Sequence, residues 1–358
     1  MISDGATRRA ENSEGLDFKL QSVMAAEGVS DFWITTDEPA SSWRRFLSEA
    51  VAGSGPFEWV TYAYLAWVEA IVLLFYRNVV HAPRYVLVHF AIGVGIALLA
   101  RRAMVSRNFA VQFARHWYPL PLYIFFFEEL QGLVHAIFPG WFDRWLIQFD
   151  FNLAQVHPAV WLTQFASPTL NDAMQFAYMT YFLYLVLLPG ILYFEKQFVA
   201  FWTVMTATAI AHYSVYVIAL LFPIESPYFS LAPLNLAPLV GGPFTATIEL
   251  VEHFGRVHGA AFPSAHVAGS MVALLAARRY KPWLFWICLP FFAAMCVATV
   301  YGRYHYVADV IAGIAVGAIG WAAGQRLMEK REQIRKARIF FRAGAGCRAN
   351  RGWRCGKR

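Results

Sequence analysis

Eight times along its length the chain runs for close to the span of a lipid bilayer with almost no charge, and no other feature limits its fold so strongly. The stretches lie at about 57–76, 84–100, 117–138, 173–193, 198–221, 264–277, 283–301 and 306–325. A helix needs about 20 apolar residues to cross the ~30 Å hydrocarbon core. In lipid every backbone polar group must find its partner within the protein, so an all-α, polytopic bundle of about eight transmembrane helices is expected. Composition agrees: 58% of the 358 residues are hydrophobic, 17% aromatic and only 15% charged, too little polar surface for a soluble globule of this size.

Basic residues set the orientation, because Lys and Arg in short loops are retained in the cytoplasm. One side carries Arg101, Arg102, Arg107, Arg115, Lys196, Arg278, Arg279 and Lys281, then a tail dense in Arg and Lys from Arg326 to Arg358. The other has Arg77, Arg84, Arg144, Arg256 and Arg303. Both termini are therefore expected to be cytoplasmic, in agreement with an even number of spans. The tail accounts for the net charge of +7 and suits anionic lipid headgroups better than nucleic acid. The first 20 residues show no apolar region behind their charges, so no cleavable signal peptide is expected. Cys288 and Cys296 lie in a span, and Cys347 and Cys355 lack zinc-site spacing.

The chain divides into a polar, partly disordered segment over 1–56 with a surface helix near Ser42–Ala50, a transmembrane catalytic domain over 57–326, and a basic cytoplasmic tail over 327–358. Trp141, Trp145 and Phe149 recur every four residues, as on a helix lying in the outer interface, with an aromatic loop as the alternative. Ser167-Pro168 has the pattern of an N-cap followed by proline at the first helical position. Residues 222–262 form the longest loop between spans and are rich in Pro and Gly, as functional loops are. Gly313, Gly317, Gly320 and Gly324 predict close helix packing. No internal repeat is visible, which argues against a repeat-built transporter.

Two polar motifs remain, 262-FPSAHVAGS-270 and 301-YGRYHYVADVIAGIAVG-317. His305 and Asp309 are four residues apart, so on a helix the carboxylate meets the imidazole, fixes its tautomer and supports positive charge on the ring. Between His266 and His305 the chain makes one out-and-back hairpin, so both histidines reach the non-cytoplasmic face. Ser264 to Ala277 covers 14 residues, or ~21 Å of helix, so the FPSAH corner is expected slightly below the outer surface. Free N–H groups at that helix start, with the Ser264 hydroxyl, suit a phosphate. One histidine can attack phosphorus while the other protonates the departing oxygen.

P-S-x-H followed by H-x-x-x-D resembles the second and third signature motifs of the type 2 phosphatidic acid phosphatase superfamily, over roughly residues 198–325. The fuller patterns Y-x-R-Y-H-Y-x-x-D and F-P-S-A-H are similar to the branch that includes inositol phosphorylceramide synthase. The resemblance implies a six-helix phosphatase-type core, a phosphohistidine on His305, orientation by Asp309, protonation of the leaving group by His266 and phosphate binding by Ser264. It implies no metal and no cofactor, a lipid phosphate or phospholipid as substrate, and a bacterial inner-membrane location with the site facing outward. The family's first motif, K-x6-R-P, has no match here, and Thr299 stands where its third motif has arginine. Arg303 and Arg256 are the substitutes, and Arg303 needs a helix break at Gly302 to face the site.

Other polar residues admit two readings. Glu128 and Glu129 interrupt the third span and either line the headgroup pocket or form interhelical hydrogen bonds. His258 and His253 are solvated loop residues or headgroup contacts, and His212, His135 and His89 are packed or interfacial. A lipid carrier and a serine protease built on Ser270 are the rival classes. The carrier conflicts with polar groups gathered on one face, and A-G-S-M lacks the nucleophile elbow.

Overall fold

Proline and the spacing of polar residues decide where each helix begins. A computed structural model describes residues 53–234, 238–255 and 257–351, with side chains for all of these except 254 and 338–351. The expected surface helix near Ser42–Ala50, and Arg256, lie outside the described residues. Among the described residues the regular structure is helical, apart from one isolated bridge between Ile224 and Ala260. The helices in order are α1 (Pro56–Leu74), α2 (Ala82–Val105), α3 (Phe109–Trp117), α4 (Pro119–Leu133), α5 (Asp143–Ala154), α6 (Pro158–Trp161) and α7 (Pro168–Phe194). They continue with α8 (Phe198–Leu221), α9 (Pro227–Ser230), α10 (Pro243–Gly255), α11 (Ala265–Tyr280), α12 (Pro282–Tyr301) and α13 (Val307–Arg351).

Six of these are long and apolar enough to cross a membrane: α1, α2, α7, α8, α12 and the Val307–Ala337 part of α13. The other two expected spans are shorter helices. Pro119 starts a new helix after Trp117, which leaves α4 with 15 residues, and α11 has 16. Ser167 caps α7, its hydroxyl accepting from Leu170 N at 3.3 Å, with Pro168 in the first turn. α13 continues without a break past residue 326 to Arg351.

The core lies around α8, which packs against α13, α11, α1, α4 and α7. Its Ala207, Ala209 and Ala211 are fully buried, and small residues there let neighbouring backbones approach. The glycines of α13 complete the fit. A Cβ on Gly317 would stand 2.5 Å from the Ala268 carbonyl oxygen, and one on Gly324 would stand 2.6 Å from Ala207 Cα.

The two ends of the bundle differ in chemistry. At one end Lys281 pairs with Glu195 (2.5 Å), Arg279 with Glu329 (3.4 Å) and Arg115 with Glu58 (2.8 Å). At the other end the 222–230 loop, the FPSAH corner and the junction between α12 and α13 come together. Ala261 N donates to Ile224 O (3.2 Å) and Ser264 N to Asp309 O (3.1 Å). The packing yields a prediction: Gly317→Ala forces α11 and α13 apart at a cost of about 1–3 kcal/mol. The thermal unfolding midpoint in detergent should fall by several degrees, and an unchanged midpoint would contradict the close approach.

Candidate active site

The last turn of α12 unwinds just before His305. Gly302 keeps a right-handed backbone (φ −72°), and the residue that turns the chain is Arg303, in the left-handed region at φ 64°. The expected break is therefore present, one residue later than Gly302. The Thr299 carbonyl accepts from both Tyr304 N (3.0 Å) and His305 N (3.1 Å).

His305 is buried, at 5% exposure. Its Nδ1 lies 2.8 Å from the Ala261 carbonyl and 3.3 Å from Asp309 Oδ2. A carbonyl can only accept, so Nδ1 carries a proton, and in the neutral ring Nε2 keeps its lone pair. Asp309 is fully buried, and its Oδ2 also accepts from Tyr306 N at 2.8 Å. It thus reaches back to the helix start as an acid does in a capping box. The next two N–H groups, of Val307 and Ala308, donate to Asp150 Oδ2 (2.9 Å) and Oδ1 (3.1 Å). Two protein carboxylates therefore occupy the N-terminus of α13.

Asp150 comes from α5. Trp145 and Phe149 lie on one face of α5 and are exposed, at 69% and 48%, so the helical reading holds for them, whereas Trp141 precedes the helix with its ring 4.3 Å from that of His135. The opposite face is Asp143, Leu146 and Asp150, all buried. Asp143 Oδ1 accepts from the Ser230 hydroxyl (2.6 Å), the Tyr306 hydroxyl (2.8 Å) and Ser226 N (3.3 Å), and its Oδ2 from Glu225 N (2.8 Å). Burial pushes the Asp150 carboxyl above its ordinary range, opposed by the two N–H bonds it accepts. Burial, with Asp143 beside it, likewise pushes the Tyr306 hydroxyl up.

His266 faces His305 across a gap, with ring centroids 6.0 Å apart, about two hydrogen-bond lengths. Its Nε2 is 3.0 Å from the Tyr178 hydroxyl, and its ring packs against Tyr181 at 4.4 Å. Both histidines line a cavity of about 260 Å³ with Tyr123, Phe127, Tyr216 and Tyr304 and the carboxylates of Glu128, Glu225 and Glu252. Burial pushes the Glu225 carboxyl up, and His258, 3.6 Å away, opposes that.

The remaining expected residues divide between the cavity and its supports. Ser264 is fully buried and caps α11, its hydroxyl accepting from Val267 N at 3.3 Å. Pro263 precedes the helix rather than forming its first turn, and the Phe262–Pro263 peptide is cis. Arg303 is buried at 6% exposure. Burial lowers its guanidinium from the ordinary arginine range, and Tyr228 and Tyr301 oppose that. His258 sits against Glu225 and Phe229. Glu128 lines the cavity, whereas Glu129 turns away to His89 Nε2, whose Nδ1 meets Glu69 at 2.9 Å.

His212 is packed, between the Thr208 carbonyl (3.0 Å) and the Tyr181 hydroxyl (2.9 Å). Ser270 is fully buried with its hydroxyl on Met295 Sδ (3.4 Å), where it has no base. Sequence reasoning missed Tyr178, Glu225, Asp143 and Asp150. For the two aspartates a signal existed, since positions 143, 146 and 150 share one helix face. The Glu69–His89–Glu129 group, in which His89 and Glu129 are buried, predicts a separation of roles. His89→Ala strands a buried carboxylate, a loss on the order of 3–5 kcal/mol, so the unfolding midpoint should drop sharply while turnover per folded molecule stays the same. Loss of turnover in the folded fraction would tie this group to the chemistry.

The family described as PAP2 superfamily matches residues 144–323. The matched stretch begins well before residue 198 and takes in α7 and nearly all of α5, the helices that pack His266 and hold the turn after His305. No curated protein and no solved structure matches the chain.

Proposed function

The chain belongs to the PAP2 superfamily, and from that premise we propose that it is an integral membrane phosphoryl-transfer enzyme acting on a lipid phosphate through a phosphohistidine on His305. The observation that carries this reading is the hold of the Ala261 carbonyl on His305 Nδ1, which leaves Nε2 of the neutral ring as its nucleophilic atom in a residue that lines the cavity shared with His266. In the first step Nε2 attacks phosphorus, the bond from phosphorus to the lipid oxygen breaks, and His266 gives that oxygen a proton. The Nδ1–H stays on the ring, and Asp309 with the Ala261 carbonyl stabilises the positive charge that develops there. In the second step a water or alcohol hydroxyl attacks phosphorus, His266 takes its proton, and the P–N bond breaks.

Arg303 and Arg256 are the proposed cations for the phosphate, and Ser264 acts through the helix start that it caps. The site lies at the end opposite the Lys281, Arg279 and Arg115 ion pairs. Under the positive-inside rule that end is non-cytoplasmic and both termini are cytoplasmic, as in a bacterial inner-membrane protein with eight crossings.

One observation favours transfer to a hydroxyl, as in inositol phosphorylceramide synthase-like enzymes, over hydrolysis. Glu128, Glu225 and Glu252 in the cavity wall accept hydrogen bonds from alcohols and repel a phosphomonoester dianion more than a diester monoanion. A headgroup-labelled phospholipid, assayed with and without a lipid or polyol alcohol, separates the two outcomes. Label moving to the alcohol supports the transferase, and label released only as the water-soluble headgroup phosphate supports the phosphatase.

Two substitutions test the roles. His305→Ala should abolish turnover of every phosphate ester and all covalent labelling. His266→Ala should slow lipid turnover by about 10²–10⁴-fold while sparing an aryl phosphate whose leaving group needs no proton. Equal losses on both substrates would remove His266 from the role of acid.

A further inference from the structure

We propose that the interfacial helix α5 belongs to the catalytic apparatus, with Asp143 and Asp150 as positioning residues that hold the Tyr306–Ala308 turn and thereby aim His305 at phosphorus. The inference rests on the phosphohistidine reading above and adds to it two residues that touch neither phosphate nor a reacting atom.

The geometry begins with a shortage of partners. A helix start leaves several N–H groups without intrahelical acceptors, and they are usually met by a Ser, Thr, Asp or Asn at the cap. The cap position of α13 is Tyr306, whose hydroxyl points instead to Asp143 and Ser230. Asp309 Oδ2 already serves Tyr306 N and the His305 ring. Val307 N and Ala308 N are therefore met from outside the helix, by both oxygens of Asp150. Asp150 is 2% exposed and Asp143 6%. Burying Asp150 beside Asp309 opposes its ionised form, a cost that an ordinary Ser or Asn cap at position 306 would avoid.

The bonds of Asp143 extend the coupling. The same carboxylate holds Tyr306 on the nucleophile's turn and Glu225 N, Ser226 N and Ser230 on the loop that walls the cavity. One helix face thus fixes the distance between the nucleophile and the wall against which substrate lies. The charged and titratable groups around His305 include Asp309 in the first turn of α13, His266 on α11 and Glu225 in the loop, with Glu128 and Glu252 on the cavity wall. Asp150 and Asp143 reach His305 only through the turn. A displacement of about 1 Å at a nucleophile can cost 10²-fold in rate, and the turn is two residues from the reacting ring.

The test compares Asp150→Asn, Asp143→Asn and Tyr306→Phe with wild type in the full-length protein, in mixed micelles of a labelled phospholipid. The Asn variants keep the size of the side chain and remove one acceptor. Expected are a fall in kcat of about 10- to 100-fold, KM within about threefold, and an equal fall in the rate at which label appears on His305. Asp150→Glu, which keeps both acceptor oxygens, should recover part of that rate. A purely structural role would lower yield or unfolding midpoint and leave kcat per folded molecule unchanged, and that result overturns the proposal. If the aspartate variants do not fold, Tyr306→Phe decides: it removes one hydroxyl and keeps the ring, and an unchanged kcat overturns the coupling through Asp143. Absence of labelling in wild type would defeat the phosphohistidine reading itself, whereas labelled wild type with fully active variants would defeat this inference alone.

Discussion

The Nδ1–H of His305 is shared between the Ala261 carbonyl and the Asp309 carboxylate, and the proposed attack on phosphorus depends on the lone pair this leaves on Nε2 of the neutral ring. Neither acceptor is independent of the fold. Ala261 is placed by its own N–H bond to Ile224 O, and Asp309 by the α13 helix start. The residue that orients the ring therefore also begins the helix, and the histidine ring cannot rotate without losing its bonds to the Ala261 carbonyl and to the carboxylate that caps α13. In a low-dielectric interior such bonds are stronger than in water, and losing one is more costly.

Around that centre, elements distant in sequence are joined by carboxylates and hydroxyls. Asp143 and Asp150 join α5 to α13. Asp172 on α7 accepts from Thr245 N at 2.9 Å and so holds the start of α10. Tyr178 on α7 meets His266 on α11. The long Pro-rich loop is tied at both ends of its path over the site, which leaves a cavity with an aromatic wall and a polar rim. The apolar bundle below it depends on glycine and alanine, where α13 lies against α8 and α11.

What could be read from the sequence follows the range of the interactions. Apolar runs, the Ser167 and Ser264 caps, the small-residue ridge of α13 and the four-residue spacing of His305 and Asp309 are local patterns, and the structure shows each of them. The third and sixth apolar stretches became helices of 15 and 16 residues, because Pro119 divides one and Ser264 and Lys281 bound the other. Glu128 and Glu129 are adjacent in sequence and end on opposite sides of α4, one in the cavity and one on His89. Only the packing of α2 decides that. Asp143 and Asp150 were overshadowed by the aromatic face of the same helix. The partners of Asp150, the N–H groups of residues 307 and 308, lie more than 150 residues away, and those of Asp143 at least 82, so no pattern within α5 indicates what they hold.

The measurement closest to the centre of this account is the ¹⁵N chemical shift of the His305 ring nitrogens, in histidine-labelled protein in lipid at neutral pH and assigned against His305→Ala. The account predicts a protonated Nδ1 and an unprotonated Nε2. A proton resident on Nε2, with Nδ1 bare, would contradict the hydrogen bond to Ala261 and leave His305 without the lone pair that attack on phosphorus requires.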